Sequence, residues 1–176
     1  MTARLQATWT ISLLLIAAFW LVFALPRSPG WAAGGLALAA LLYLAVMALQ
    51  FGLMQRVNAA DPAPRARFPQ VRRAWWAELG VALRVFCWDQ PFRSRAEPDW
   101  LPTAPTGQRG VVLVHGFLCN RAVWRLWFAP LRAAGHAYEA VNLEPVFGSI
   151  DDYAPSIEAA VQRVHAATGM APVLIC

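Results

Sequence analysis

The stretch from Arg109 to Asn120, Arg-Gly-Val-Val-Leu-Val-His-Gly-Phe-Leu-Cys-Asn, has residue types and spacing suited to chemistry at a developing negative charge. Val111 to Val114 run without a polar break, as in a strand buried on both faces of a parallel sheet. The run stops at His115-Gly116-Phe117, and Asn120 offers an N-cap for a helix beginning near Arg121. Such a strand, glycine turn and helix start aims backbone N–H groups into the space above a sheet, where they suit an oxyanion or a phosphate. An ordinary connection between strand and helix has the same outline, so spacing alone leaves both readings open.

Other chemistry-bearing residues are sparse. Ser12, Ser28, Ser94, Ser149 and Ser156 are the serines, and none lies in G-x-S-x-G. His115 sits in the turn, His136 follows a helix-ending glycine, and His165 falls on the polar side of a late helix. None is placed by its sequence context to activate a serine. Glu144 and Asp151 lie near strand-end loops, where they either line a cleft or cap backbone. Cys87, Cys119 and Cys176 are an odd number at unrelated spacing, which argues against a disulfide framework and a zinc site and reads as free, buried thiols. No metal or cofactor is implied.

The elements that must hold the turn begin with an excess of apolar sequence. Of the 176 residues 59% are apolar, against roughly 45–50% in a typical globular chain. The excess is concentrated in the first third. From Trp9 to Leu25 only Thr10 and Ser12 are polar, and Trp31 to Met54 is longer still, with Gln50 near its end. At about 1.5 Å of rise per residue, each run reaches across a hydrocarbon core of about 30 Å, the second with some tilt. Pro26-Arg27-Ser28-Pro29-Gly30 breaks the helix between them, and Trp9 and Trp31 stand where interfacial tryptophans are favoured. The expected element is a transmembrane hairpin with two spans. A cleaved signal peptide is the competing reading for the first run, but no small-x-small site closes it and a second span follows at once. Small residues of the second run, among them Gly34 and Gly35, would let the helices approach closely.

The net charge of +5 comes from arginine alone, and more than half of the arginines lie between Arg56 and Arg95. A local basic cluster beside apolar spans points to a membrane lipid surface, and no motif accompanies it that would indicate nucleic acid. Arg56, Arg65, Arg67, Arg72 and Arg73 follow the second span, against Arg27 in the hairpin loop, which puts the remainder of the chain in the cytoplasm. Pro62, Pro64 and Pro69 mark residues 57–69 as a linker. Val71, Trp75, Leu79, Ala82 and Phe86 then recur at helical steps on one face. That amphipathic helix either lies in the headgroup boundary or packs on the soluble domain.

After Asn120 helices and strands alternate. Trp124, Phe128 and Leu131 make a helical stripe, with Pro130 a possible kink and Gly135 a stop; Tyr138 to Leu143 reads as a strand. Ser149 with Asp152 has the form of a capping box, and Ile150, Tyr153, Ile157, Val161 and Val164 share a face that ends at Gly169. Val173 to Cys176 reads as a third buried strand. The order is βαβαβ with parallel strands.

On these residues the chain resembles the α/β-hydrolase fold, in particular bacterial lipases and esterases. The resemblance rests on Val111–Val114 with His115-Gly116-Phe117, Trp124, Gly135-His136, the strand from Tyr138, and Ser149 to Ala154, and it covers about residues 100–176. It implies that the N–H of Phe117 is one donor of an oxyanion hole, that Gly116 shapes the loop, and that His115 braces it and is not the base. It implies further that the serine nucleophile, then the acid and the base, follow the strand ending at Cys176, so that the chain is the first part of such an enzyme and is inactive by itself. The expected organisation is a two-helix transmembrane hairpin over residues 1–55, a basic proline-containing linker and interfacial helix over 56–107, and an incomplete α/β-hydrolase domain over 108–176. The implied substrate is a hydrophobic ester, and the implied location is the bacterial inner membrane. The alternative is a non-catalytic two-span membrane protein whose cytoplasmic half-domain binds a partner; a transporter is a weaker third, because the spans carry no charge.

Overall fold

The structure, a computed structural model, describes residues 1–176. Two long helices open the chain, α1 (Thr2–Ala24) and α2 (Pro29–Val57), the second extended by a 3-10 turn (Asn58–Ala60). After a segment without regular structure come α3 (Phe68–Arg84), a π-helical turn (Val85–Asp89) and a single turn α4 (Gln90–Phe92). The remainder alternates: β1 (Val111–Leu113), a 3-10 turn (Arg121–Trp124) leading into α5 (Arg125–Ala133), β2 (Tyr138–Ala140), α6 (Ile150–Thr168) and β3 (Val173–Ile175). Packing divides these into two compact units, Thr10–Arg84 and a second made of Met1–Trp9 with Val85–Cys176.

In the helical unit, α1 and α2 are both long and apolar enough to cross a membrane, and only 11% of either apolar window is buried. One of the small residues of α2 has a specific partner. A Cβ on Gly35 would overlap the Trp20 indole, which donates from Nε1 to the Ala32 carbonyl at 3.3 Å, whereas Gly34 faces nothing. Close approach plus a hydrogen bond is what holds helices together where burial from water contributes little. Helix α3 buries Val71 and Leu79 and packs along α2, where Tyr43 Oη donates to the Leu79 carbonyl at 2.9 Å. Two expectations shift here: Pro69 lies inside the first turn of α3, where a missing N–H is harmless, and Phe86 leaves the apolar stripe because the π turn rotates it away.

In the sheet unit the strands are all parallel, in the order β2-β1-β3. Val112 and Leu113 of the central strand are fully buried. Val111 and Leu113 pack with Phe128 of α5 and Tyr138, and Val112 and Val114 with Ala160 and Val164 of α6, so one helix covers each face. Gly110 makes the second packing possible, since a Cβ there would overlap the Val164 side chain. The local signals hold: Asn120 Oδ1 accepts from the Ala122 N–H at 3.0 Å, Ser149 and Asp152 form the capping box, and Gly169 ends α6 at φ 70°. Pro130 is accommodated inside α5.

Several expectations need correction. The helix after Asn120 starts as a 3-10 turn, because the side chains of Asn120 and Asn142 take its first N–H groups. The second strand ends at Ala140, short of Leu143, since the N–H of Leu143 turns to a side chain. Ile150 is 85% exposed and stands off the α6 stripe. The third strand is an edge strand rather than a buried one, with Val173 and Leu174 at 42% and 48% exposure. The opposite edge is covered, since Trp100 pairs antiparallel with Tyr138. The three cysteines are free as expected, but none is buried: Cys87 and Cys176 are exposed, Cys119 half-buried.

Candidate functional site

Strand β1 is followed by β2 on one side and the chain then crosses to β3 on the other. Helices α5 and α6 cover opposite faces of the sheet, and the connections leaving the carboxyl ends of β1 and β2 border a crevice there. His115, Gly116 and Phe117 lie in that crevice. They line a cavity of about 380 Å³ with Leu118, Leu143 and Tyr153. Phe117 is 69% exposed, and its ring meets that of Phe147 edge to face at 5.9 Å, giving the mouth an apolar rim.

The turn itself is closed by the Cys119 N–H donating to the Gly116 carbonyl at 3.2 Å, with Leu118 in the left-handed region at φ 57°. That conformation is uncommon for leucine, with a cost of about 1–2 kcal/mol. The N–H of Phe117 donates to nothing within the chain. A Cβ on Gly116 would meet only open space, so glycine is not demanded there by packing; it leaves the approach to the Phe117 N–H clear.

His115 is a brace. The Leu143 N–H donates to its Nε2 at 3.0 Å, so that nitrogen carries a lone pair, and the proton sits on Nδ1, which lies 2.9 Å from the Gly116 carbonyl. Both ring nitrogens are thereby engaged, one joining the turn after β1 to the segment after β2. Burial lowers the pKa of His115 below the usual imidazole value, against the opposing pull of the Gly116 carbonyl and Glu144. A neutral, doubly bonded imidazole is not a free base.

Three buried or half-buried amides fix the far side of the turn. Gln6 Nε2 donates to the Leu118 carbonyl at 2.8 Å and to Gln90 Oε1 at 3.1 Å. Asn120 donates from its backbone N–H to Gln90 Oε1 at 2.8 Å, and from Nδ2 to Gln6 Oε1 at 2.7 Å and the Gln90 carbonyl at 2.9 Å. The strained Leu118 thus has its carbonyl held from the first turns of α1. Burial also raises the pKa of the Cys119 thiol, with the Gln90 amide opposing, so it is not an activated nucleophile. Nothing local in the sequence marks Gln6 or Gln90 as part of this site.

The other candidates sit elsewhere. Glu144 pairs with the Met1 ammonium and accepts from the Thr2 N–H at 3.0 Å; the Met1 hydrogen bond lowers its pKa despite some burial. Asp151 lies in the first turn of α6, beside the capping Ser149. His136 Nδ1 lies 2.8 Å from the Arg109 carbonyl, and His165 is exposed on α6. The site brings together His115, Gly116 and Phe117; of the others only Glu144 is near enough to act on His115, and it does not line the cavity. Behind it, Arg121 is anchored to Asp99 at 2.6 Å, and Arg125 to the fully buried Asp89 at 2.5 Å and to Glu97 at 2.9 Å, so the segment before the sheet is pinned to the start of α5.

The arrangement is a small doubly wound α/β unit with a braced, donor-bearing turn at its switch point. No family model matches the chain, and no curated protein and no solved structure matches it either.

Proposed function

We propose that the chain is the first part of a membrane-anchored serine hydrolase that transfers the acyl group of a hydrophobic carboxylic ester to water. One observation carries the reading: the unused N–H of Phe117 stands at the carboxyl end of the central strand, in a crevice with an apolar mouth. Strand β3 lies next to β1, with Val114 donating to the Ile175 carbonyl at 2.8 Å, so a turn following β3 would present its side chain beside that N–H. In this reading a serine there attacks the ester carbonyl and a histidine takes its proton. The N–H of Phe117 and that of the residue after the serine then stabilise the oxyanion. One such donor accounts for about 10²–10³ in rate. The arginine excess after α2 supports a cytoplasmic sheet unit in this reading, with the two apolar helices in a bacterial inner membrane.

Reading the coding sequence beyond Cys176 for G-x-S-x-G within a few codons is the direct test, and unrelated sequence there would sink the proposal. The 176-residue chain itself is expected to give no turnover of a p-nitrophenyl ester; turnover abolished by a serine-reactive phosphonate would overturn the division of labour. Alkaline phosphatase activity from a reporter fused after Arg73 would reverse the orientation. The exposed edge of β3 favours a second reading, in which a non-catalytic two-span protein pairs that strand with a partner. Unrelated sequence after Cys176, with a strand-pairing partner recovered, would select it.

A further inference from the structure

We propose that the turn joining α2 to α3 binds the headgroup of an anionic phospholipid. Between Arg56 and Arg73 five exposed arginines, at 56, 65, 67, 72 and 73, stand against one acid, Asp61. The segment from Asp61 to Arg67 and the end of the second apolar helix together line two adjoining grooves, one of about 360 Å³ and one of about 590 Å³. Arg65, Met54 and Val71 line both, and Phe51 and Arg67 line the larger. The Arg65 guanidinium donates from Nη2 to the Ala59 carbonyl at 2.7 Å, which holds the group at the helix end while its remaining N–H donors stay available. A guanidinium fixed in this way presents a fork that matches two phosphate oxygens. Asp61 accepts the Ala63 N–H at 2.7 Å, so one of its oxygens is committed to the backbone.

The apolar wall decides the kind of phosphate. Phe51 and Met54 sit beside the cation, and Leu49 and Leu53 on the same helix are 61% and 48% exposed, so an acyl chain leaving the groove has an apolar surface to follow. A free phosphate would gain nothing from that wall. Each basic residue near an anionic surface is worth about fivefold in binding at low salt. This site lies wholly within the helical unit, so failure of the hydrolase reading leaves it untouched.

The test is native mass spectrometry of the full chain released from micelles holding equal amounts of phosphatidylglycerol and phosphatidylcholine. The intact chain should retain phosphatidylglycerol at least about fivefold over phosphatidylcholine. Arg65→Gln with Arg67→Gln should bring the ratio near one, and Arg27→Gln in the hairpin loop should leave it unchanged. Arg65→Lys, which keeps the charge and loses the fork, should fall between, and it decides the matter if the double variant fails to fold. Equal retention of the two lipids, a preference surviving the double variant, or displacement of the lipid by inorganic phosphate would overturn the proposal.

Discussion

Leu14, Leu38 and Leu41 of the helical unit are between 58% and 65% exposed, whereas Val112, Leu113 and Phe128 of the sheet unit are at or below 1%. Both units carry many aliphatic residues, the helical unit the larger share, yet one turns them outward and the other inward. An outward apolar surface is stable only where the surroundings are apolar too, and there burial from water cannot select one helix arrangement over another. Specific contacts must do so, hence the Trp20 indole against Gly35 and the Tyr43 hydroxyl on the Leu79 carbonyl. In the sheet unit burial supplies the drive, and polar side chains taken inside are linked to one another, as Gln6, Gln90 and Asn120 are.

The sharpest way to break this contrast is to make the same kind of truncation on both sides. Phe128 is 1% exposed and stacked on Tyr138 with ring centroids 4.9 Å apart. Phe128→Ala should cost the sheet unit about 3–5 kcal/mol. Leu14→Ala, at a position 65% exposed, should leave stability in detergent almost unchanged. Denaturant titration of both variants, followed by near-ultraviolet circular dichroism, tests the pair; equal effects would mean that the exposed surface of α1 is not lipid-facing.

Asn120→Ala comes next. It removes an N-cap and leaves the Gln6 side-chain oxygen and the Gln90 backbone carbonyl short of a donor, for an expected loss of about 2–3 kcal/mol. Amide hydrogen exchange should quicken at residues 117–122 before the rest of the sheet unit. Uniform acceleration would show that the network supports the whole unit and not the turn in particular.

What could be read from the sequence follows the range of the interaction. The Asn120 cap, the Ser149–Asp152 box and the Gly169 stop each depend on residues a few positions apart, and all three are present. So is the central strand, whose unbroken Val111–Val114 run has no competing period. The Gln6–Asn120 bond spans 114 positions and the Gln90–Asn120 bond 30, and neither leaves a local pattern. The edge position of β3 was equally hidden, because an aliphatic run reads the same in a central strand as at an edge. The π turn at Val85–Asp89 adds a residue per turn and throws Phe86 off a stripe that is regular in the sequence.

Gly35→Leu probes the other side of the contrast. The new side chain has to displace the Trp20 indole, and overpacking of this kind costs about 1–3 kcal/mol. Helix content should survive, while Trp20 fluorescence shifts and the thermal transition drops. Adding Trp20→Ala should restore much of the loss. Without that rescue, the indole is not what the glycine accommodates.

The smallest effect expected is a pH slope from His115. Its pKa is lowered in the folded chain, chiefly by burial, and the Leu143 N–H donating to Nε2 can be kept only while that nitrogen is unprotonated. In the unfolded chain the ring takes up a proton near the ordinary value of about 6.5. As pH falls through that value the unfolded state therefore binds the extra proton first, and the contribution of the neutral ring to stability is lost; above it the contribution is fully present. His115→Asn should weaken this dependence between neutral and mildly acidic pH relative to the intact chain, so the two stability curves should draw together as pH falls. Curves that stay parallel would mean that His115 titrates alike folded and unfolded, and the brace between the turn after β1 and the segment after β2 would then not depend on a neutral imidazole.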